Sequence, residues 1–166
     1  MIPGVVCTFY SYKGGVGRTM ALANVAAELA RLGNRVLVLD WDLEAPGIEK
    51  YFEDANLGQT RFPDGPGILE LIYACVEDVA LDWKECVIHA TPFPAAQVDI
   101  IRSGERGNGY VGRLQAVNWS TLFEEHEFGL YLERLRCEWV AEYDYVLVDS
   151  RTGITDIGGI CTIHLP

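Results

Sequence analysis

Apolar and polar positions alternate along the first forty residues in the order strand, helix, strand. The apolar run Val5–Tyr10 predicts a first strand. The segment Thr19–Leu32 repeats apolar residues every three or four positions, which predicts an amphipathic helix that ends at Gly33. The stretch Arg35–Leu39 is apolar without alternation, which is typical of a strand buried on both faces of a parallel sheet.

The rest of the chain continues the alternation of strands and helices. Its periodicity predicts helices over Ile68–Cys75, Val79–Ile88 and Asn118–Tyr143, the last with a break near residues 126–129, and strands over Val98–Ile101 and Tyr145–Val148. Residues 48–64 carry no clear period, and the glycines of Ser103–Gly112 predict a loop. This order predicts an α/β fold with a mostly parallel sheet and helices on both faces, and the length of 166 residues suits one domain.

A glycine-rich segment, K-G-G-V-G-R-T at residues 13–19, separates the first strand from the first helix. Glycines there leave backbone N–H groups free at the positive end of the helix and let a phosphate approach the main chain. Thr19 occupies the place of a hydroxyl that binds Mg²⁺. The common pattern G-x-x-x-x-G-K-[ST] is not met, because Tyr12 and Arg18 replace its first glycine and its lysine. The segment still predicts a site for nucleotide phosphates.

Aspartates follow two other predicted strands at their carboxyl ends. Asp40 and Asp42 come after the second strand, and Asp149 follows Tyr145–Val148. Ligands bind beyond the carboxyl ends of the strands in sheets of this kind, so these carboxylates and the glycine-rich segment should share one edge. A nucleoside triphosphate needs a metal anchor and a group that positions water, and carboxylates there can supply both.

Composition narrows the classes of partner and compartment. The net charge of −11 argues against broad electrostatic binding to nucleic acid or to an anionic membrane, so neither partner is expected for this segment. The 5 cysteines are widely spaced and contain no C-x-x-C pair, which indicates neither a disulfide framework nor a zinc site. The amino terminus lacks the pattern of a signal peptide, so a cytoplasmic location is expected.

The glycine-rich segment resembles the deviant Walker-A motif of the ParA/MinD class of P-loop ATPases, written K-G-G-x-G-K-[ST]. Its one departure is Arg18, which stands in place of the second lysine. Together with D-W-D-L-E-A-P-G at residues 40–47 and D-S-R-T-G at residues 149–153, it resembles a bacterial branch with an arginine P-loop. In that class these two later segments are the switch I and switch II regions.

The resemblance implies ATP and Mg²⁺ as cofactors and assigns roles to residues of these motifs. The residues implied to contact the nucleotide are Lys13, Gly14, Gly15, Val16, Gly17, Arg18, Thr19 and Met20. Those implied near the metal are Thr19, Asp40 and Asp149, and those implied in catalysis are Asp42, which would orient the attacking water, Lys13 and Arg18. Lys13 would reach the nucleotide of a partner subunit in a homodimer. Arg151 would contact the γ-phosphate, act across the dimer interface or form a surface ion pair.

Three functions follow from the resemblance, and the sequence leaves them open. The first is a Mg²⁺-ATP-dependent switch that dimerises with nucleotide and hydrolyses it slowly, since arginine does not replace the P-loop lysine neutrally. The second is a non-hydrolysing sensor or scaffold module, and the third is an ATP-dependent ligase or synthetase for a small molecule. ATP and GTP are not distinguished. We also expect the chain to be the amino-terminal portion of a longer protein, with an incomplete sheet whose other strands lie on one side of Val5–Tyr10.

Overall fold

The computed structural model of the protein describes residues 3–53, 62–107, 109–151, 160, 161 and 165. Its strands form one sheet and are β1 (Val5–Phe9), β2 (Val36–Asp40), β3 (Val87–Phe93), β4 (Ala96–Ile101) and β5 (Tyr145–Asp149). The order across the sheet is β1-β5-β2-β4-β3, with parallel pairs throughout except the antiparallel hairpin of β3 and β4. The predicted α/β fold with a mostly parallel sheet is confirmed.

The helices connect the strands and cover the sheet. They are α1 (Arg18–Arg31), α2 (Lys50–Glu53), α3 (Ile68–Val76), α4 (Tyr110–Ala116), α5 (Trp119–Glu125) and α6 (Phe128–Glu142). The predicted break near residues 126–129 is confirmed, because Glu127 has a φ of 51° between α5 and α6 and interrupts the helical path. No helix in the described ranges is long and apolar enough to cross a membrane.

The predicted helix over Val79–Ile88 is wrong. A single 3₁₀ turn covers Trp83–Cys86, and β3 follows it directly as the edge strand that pairs with β4. Ala95 takes a φ of 63° in the tight turn between the two strands. Periodicity did not reveal this hairpin, since an edge strand is only half covered and a short apolar run fits either period. The predicted loop over Ser103–Gly112 is also too long, because α4 begins at Tyr110.

Two apolar cores lie on opposite faces of the sheet. Every residue of β2 is buried, and its alternate side chains point to opposite faces. Val38 packs in the core that contains Leu22 and Ala26 of α1, whereas Leu37 packs in the core that contains Trp139 of α6. Helices on both faces are therefore confirmed, and the uninterrupted apolar run of β2 is explained by its central place.

The strand order brings three connections to one edge of the sheet. In the described part of the chain, β1 pairs with β5 alone, and β5, β2 and β4 all lie on the same side of it, as expected. The last pairs of the parallel ladders are Phe9 with Asp149 and Asp40 with Asp149. The glycine-rich segment after β1, the loop after β2 and the end of β5 are thus neighbours.

Candidate nucleotide-binding site

Glycines shape the loop between β1 and α1. Gly15 has a φ of 72°, and Gly17, the residue before the first turn of α1, has a φ of 80°. Glycine populates this left-handed region readily, whereas a side chain there costs about 1–2 kcal/mol. A Cβ built on Gly14 or Gly15 meets nothing within 4 Å. The glycines therefore set the path of the loop and leave open space beside it.

The start of α1 offers unpaired amides. The N–H groups of residues 14–17 donate to no acceptor among the described residues. No side chain caps the helix at Gly17, and the first turn contains no acidic residue. The first turn of a helix carries partial positive charge and free donors, which bind phosphate oxygens. The loop fits the phosphates of a nucleotide.

Arg18 binds two of the three carboxylates to which the resemblance assigns a role, Asp149 and Asp42. Its Nε donates to Asp149 Oδ1 at 2.7 Å, and its Nη2 donates to Asp42 Oδ2 at 2.8 Å. Its Nη1 also lies 3.4 Å from the hydroxyl of Ser11. Burial lowers the pKa of Arg18, but its bonds to Asp149 and Asp42 outweigh that effect and raise it above its ordinary value. The guanidinium faces these carboxylates in the structure, and its contact with phosphates stays a prediction.

Asp149 and Thr19 meet beside the loop. The Thr19 hydroxyl lies close enough to the Asp149 carboxylate to favour its ionised form, and this carboxylate is almost fully buried at the end of β5. Burial raises the pKa of Asp149, and the bonds from Arg18 and Thr19 oppose that rise. No group of three or more His, Cys, Asp or Glu side chains in the described ranges could hold a metal ion. A hydroxyl beside one carboxylate fits Mg²⁺, which takes few protein ligands and completes its shell with water and phosphate oxygens.

Asp40 supports the loop that carries Asp42. Its Oδ2 accepts from the amides of Gly47 at 2.9 Å and Ile48 at 3.3 Å, and its Oδ1 accepts from the amide of Asp42 at 3.3 Å. Burial raises the pKa of Asp40 to about 8, against the lowering effect of these bonds and with help from the charge of Glu49. The hydrogen bonds found for Asp40 lie within its own loop, so its place near the metal stays a prediction.

Replacing Asp40 with asparagine should flatten the dependence of stability on pH. The folded state raises the pKa of this carboxyl to about 8. Its contribution is therefore complete below the unfolded pKa of about 4 and is lost as the pH rises toward 8. Urea unfolding at pH 5 and pH 8 should show a smaller loss of unfolding free energy for Asp40→Asn than for the wild type.

Asp144→Asn is the matched control for this measurement. Its bond to Arg35 lowers the pKa of Asp144, so that carboxyl does not titrate between pH 5 and pH 8. This variant should lose as much unfolding free energy between the two pH values as the wild type. An equal loss in Asp40→Asn and the wild type would contradict the role assigned to Asp40.

A cleft of about 460 Å³ opens beside the loop. It is lined by Ser11, Gly14, Gly15, Val16, Gly17, Arg18, Thr19, Met20, Asp42, Glu44, Ala45, Tyr51 and Arg151. All the residues that the sequence predicted to contact the nucleotide line this cleft except Lys13. Lys13 lies in the same loop, and its side chain is exposed. Asp42 also lines the cleft. Asp149 does not line it but contacts one cleft residue, Arg18, and lies near another, Thr19.

The sequence did not single out Glu44 or Tyr51 as cleft residues. Arg151 forms an ion pair with Glu44, which joins the end of β5 to the loop after β2. The position of Glu44 just beyond a strand end was the available signal for it, whereas nothing in the sequence marked Tyr51. Residues 152 and 153 of the D-S-R-T-G segment lie outside the described residues.

Comparison with known sequences gives a family and distant relatives. The family model described as "AAA domain" matches residues 4–155. The cytosolic Fe-S cluster assembly factor cfd1 of Neurospora crassa is 29% identical over 148 residues, which are 88% of this chain and 41% of that protein. The septum site-determining protein MinD of Helicobacter pylori is 25% identical over 150 residues, which are 90% of this chain and 46% of that protein.

Comparison of structures agrees with the sequence match. The MinD protein of Pyrococcus horikoshii, solved in complex with Mg-ADP, superposes with a TM-score of 0.61 at 18% identity, over 96% of this chain and 54% of that one. The chain thus spans about half the length of the relatives that it matches. The chain belongs to the AAA-domain family, and its resemblance to P-loop ATPases of the ParA/MinD type is confirmed.

Proposed function

We propose that the chain binds ATP with Mg²⁺ in this cleft and acts as a slow, nucleotide-dependent switch. The observation that carries the proposal is a helix start led by glycines, in a cleft that Thr19 lines and beside which Arg18 holds the buried Asp149. The loop supplies donors for phosphate, and Thr19 with Asp149 supplies oxygens for a divalent ion. The Mg-ADP in the structure of the Pyrococcus horikoshii relative supports the choice of cofactors.

Each residue of the site would contribute a separate part of the function. The amides of residues 14–17 would bind phosphate oxygens, and Thr19 with Asp149 would hold Mg²⁺, which neutralises charge on the phosphates. Asp42 lines the cleft and would orient the attacking water. Arg18 forms an ion pair with Asp42, and a carboxylate that is held by a guanidinium positions water poorly. We therefore expect turnover at or below the low end of the range of about 1–10³ s⁻¹ typical of enzymes.

The ion pair between Arg18 and Asp42 also favours a second function, that of a module that binds nucleotide without hydrolysing it. Both functions need the cleft, but only the switch needs Asp42 to be released from Arg18. Phosphate release measured over hours with saturating Mg-ATP separates them. Slow release that Asp42→Asn abolishes supports the switch, and an equally low rate in both proteins supports the module.

The proposed homodimer depends on Lys13. This lysine is exposed beside the cleft, and the apolar side chains of Tyr12, Val16 and Met20 near it are exposed as well. An exposed apolar group of this kind suits a protein interface. Two clefts that face each other would let each Lys13 neutralise charge on the nucleotide of the partner subunit.

Light scattering with a non-hydrolysable ATP analogue tests the dimer. The wild type should double its mass when the analogue and Mg²⁺ are added, and Lys13→Ala should stay monomeric. Lys84→Ala, which removes an ammonium group from a distant ion pair with Glu142, should dimerise like the wild type. A wild type that stays monomeric under every nucleotide condition would overturn the proposed dimer.

Isothermal calorimetry tests the proposed function as a whole. ATP, ADP and GTP would be titrated into the wild type with and without Mg²⁺. We expect binding of ATP and ADP that Mg²⁺ strengthens, since the Thr19 and Asp149 oxygens contribute only through the metal. No heat of binding with any of the three nucleotides would refute the proposal.

A further inference from the structure

Arg18 bridges two carboxylates from different elements. Its Nε and Nη2 atoms donate separately to Asp149 and Asp42, at 2.7 and 2.8 Å, and its side chain is 8% exposed. The planar fork of a guanidinium can satisfy two carboxylates at once, whereas the ammonium of lysine is a point charge. The bridge therefore depends on the residue by which this chain departs from the K-G-G-x-G-K-[ST] pattern.

One end of the bridge is Asp149, the carboxylate proposed to hold the metal ion. Asp149 accepts a hydrogen bond from Arg18, and the Thr19 hydroxyl lies near the same carboxylate. Asp149 is buried, and Asp42 is the other carboxylate on the same guanidinium. A divalent cation beside Thr19 and Asp149 would thus lie close to a fixed positive charge in a poorly solvated place, where like charges repel strongly.

We propose that Arg18 acts as a built-in counter-cation that competes with the divalent ion for Asp149. The inference rests on the proposed function and adds a regulatory step to it. Loading of the metal with nucleotide requires the bridge to open, and the opening releases Asp42 at the same time. Metal binding and the freedom of Asp42 are thereby coupled through one side chain. The nucleotide-free chain accordingly has low affinity for a divalent ion alone.

Manganese binding without nucleotide tests the competition. Mn²⁺ would be titrated into the folded proteins and followed by electron paramagnetic resonance of the free ion. Arg18→Gln removes the charge and should bind Mn²⁺ at least about tenfold more tightly than the wild type, a coupling within the usual range for linked sites. The Mn²⁺ affinity of Arg18→Lys should lie between those of the wild type and Arg18→Gln, because an ammonium group pairs with one carboxylate at a time.

Two further measurements keep the result interpretable. Arg136→Gln removes an arginine from an ion pair with Glu133 on α6 and should bind Mn²⁺ like the wild type. Circular dichroism establishes that each variant is folded. If Arg18→Gln does not fold, Arg18→Lys, which retains the positive charge, is compared with the wild type in its place. Equal Mn²⁺ affinity in the wild type and the folded Arg18 variants, or no binding by any of them, overturns the proposal. Titration of Mg-ADP into the wild type reports separately on the proposed function.

Discussion

Thr19→Ala should lose the Mg²⁺-dependent part of nucleotide binding, with a fall in the affinity for Mg-ATP of about 100-fold, the upper end of what residues that support a metal contribute. Thr19 lies in the first turn of α1, lines the cleft, and places its hydroxyl near the buried Asp149 carboxylate. The backbone amides of the loop remain in the variant. Binding of ATP without Mg²⁺ should therefore change little.

Calorimetry of three variants makes the Thr19 result specific. Thr19→Ser keeps a hydroxyl at the site and should retain most of the Mg²⁺ dependence. Ser120→Ala removes a hydroxyl from an exposed position on α5 and should bind Mg-ATP like the wild type. If Thr19→Ala bound Mg-ATP as tightly as Thr19→Ser, the assignment of the metal site to Thr19 and Asp149 would fail.

Trp139→Ala should reduce the free energy of unfolding by about 3–5 kcal/mol, the usual cost of removing a large buried aromatic side chain. Trp139 on α6 is 0% exposed and meets Trp83 edge to face at 6.5 Å between ring centroids. Its indole nitrogen has no partner among the described residues, so the loss comes from packing and from the cavity left behind. Denaturant unfolding followed by circular dichroism measures it.

A residue of the same helix provides the control for Trp139. Leu130 is 69% exposed, and Leu130→Ala should change the free energy of unfolding by no more than about 0.5 kcal/mol. Trp139→Phe should lie between the two, because most of the apolar volume remains. A loss below about 1 kcal/mol for Trp139→Ala would show that α6 does not anchor this face of the sheet.

The elements that the sequence predicted well are those whose pattern is long or unbroken. The helix over Thr19–Leu32 has an apolar stripe of four turns, and the structure places α1 at Arg18–Arg31. Within the predicted run Arg35–Leu39, the apolar residues Val36–Leu39 are buried on both faces of the sheet, and the structure places β2 at Val36–Asp40. Such segments keep their structure because local pattern and burial agree.

The features that the sequence did not reveal depend on contacts between distant residues. Arg18 and Asp149 are 131 positions apart, and their ion pair appears only once β5 lies beside β1. The sequence placed both residues at one edge of the sheet but assigned the arginine to phosphates rather than to the carboxylates. The edge strand β3 was missed for the same reason, because its pairing with β4 and not its own periodicity makes it a strand.

A crystal structure of the chain with Mg²⁺ and a non-hydrolysable ATP analogue would decide whether this cleft is the nucleotide site. We expect the β- and γ-phosphates against the amides of residues 14–19, with Mg²⁺ bound to the Thr19 hydroxyl and Asp149 beside its water ligands. We also expect the Arg18 guanidinium to have left Asp149. A nucleotide bound elsewhere, or a metal ion without contact to Thr19 or to waters on Asp149, would contradict the proposed function.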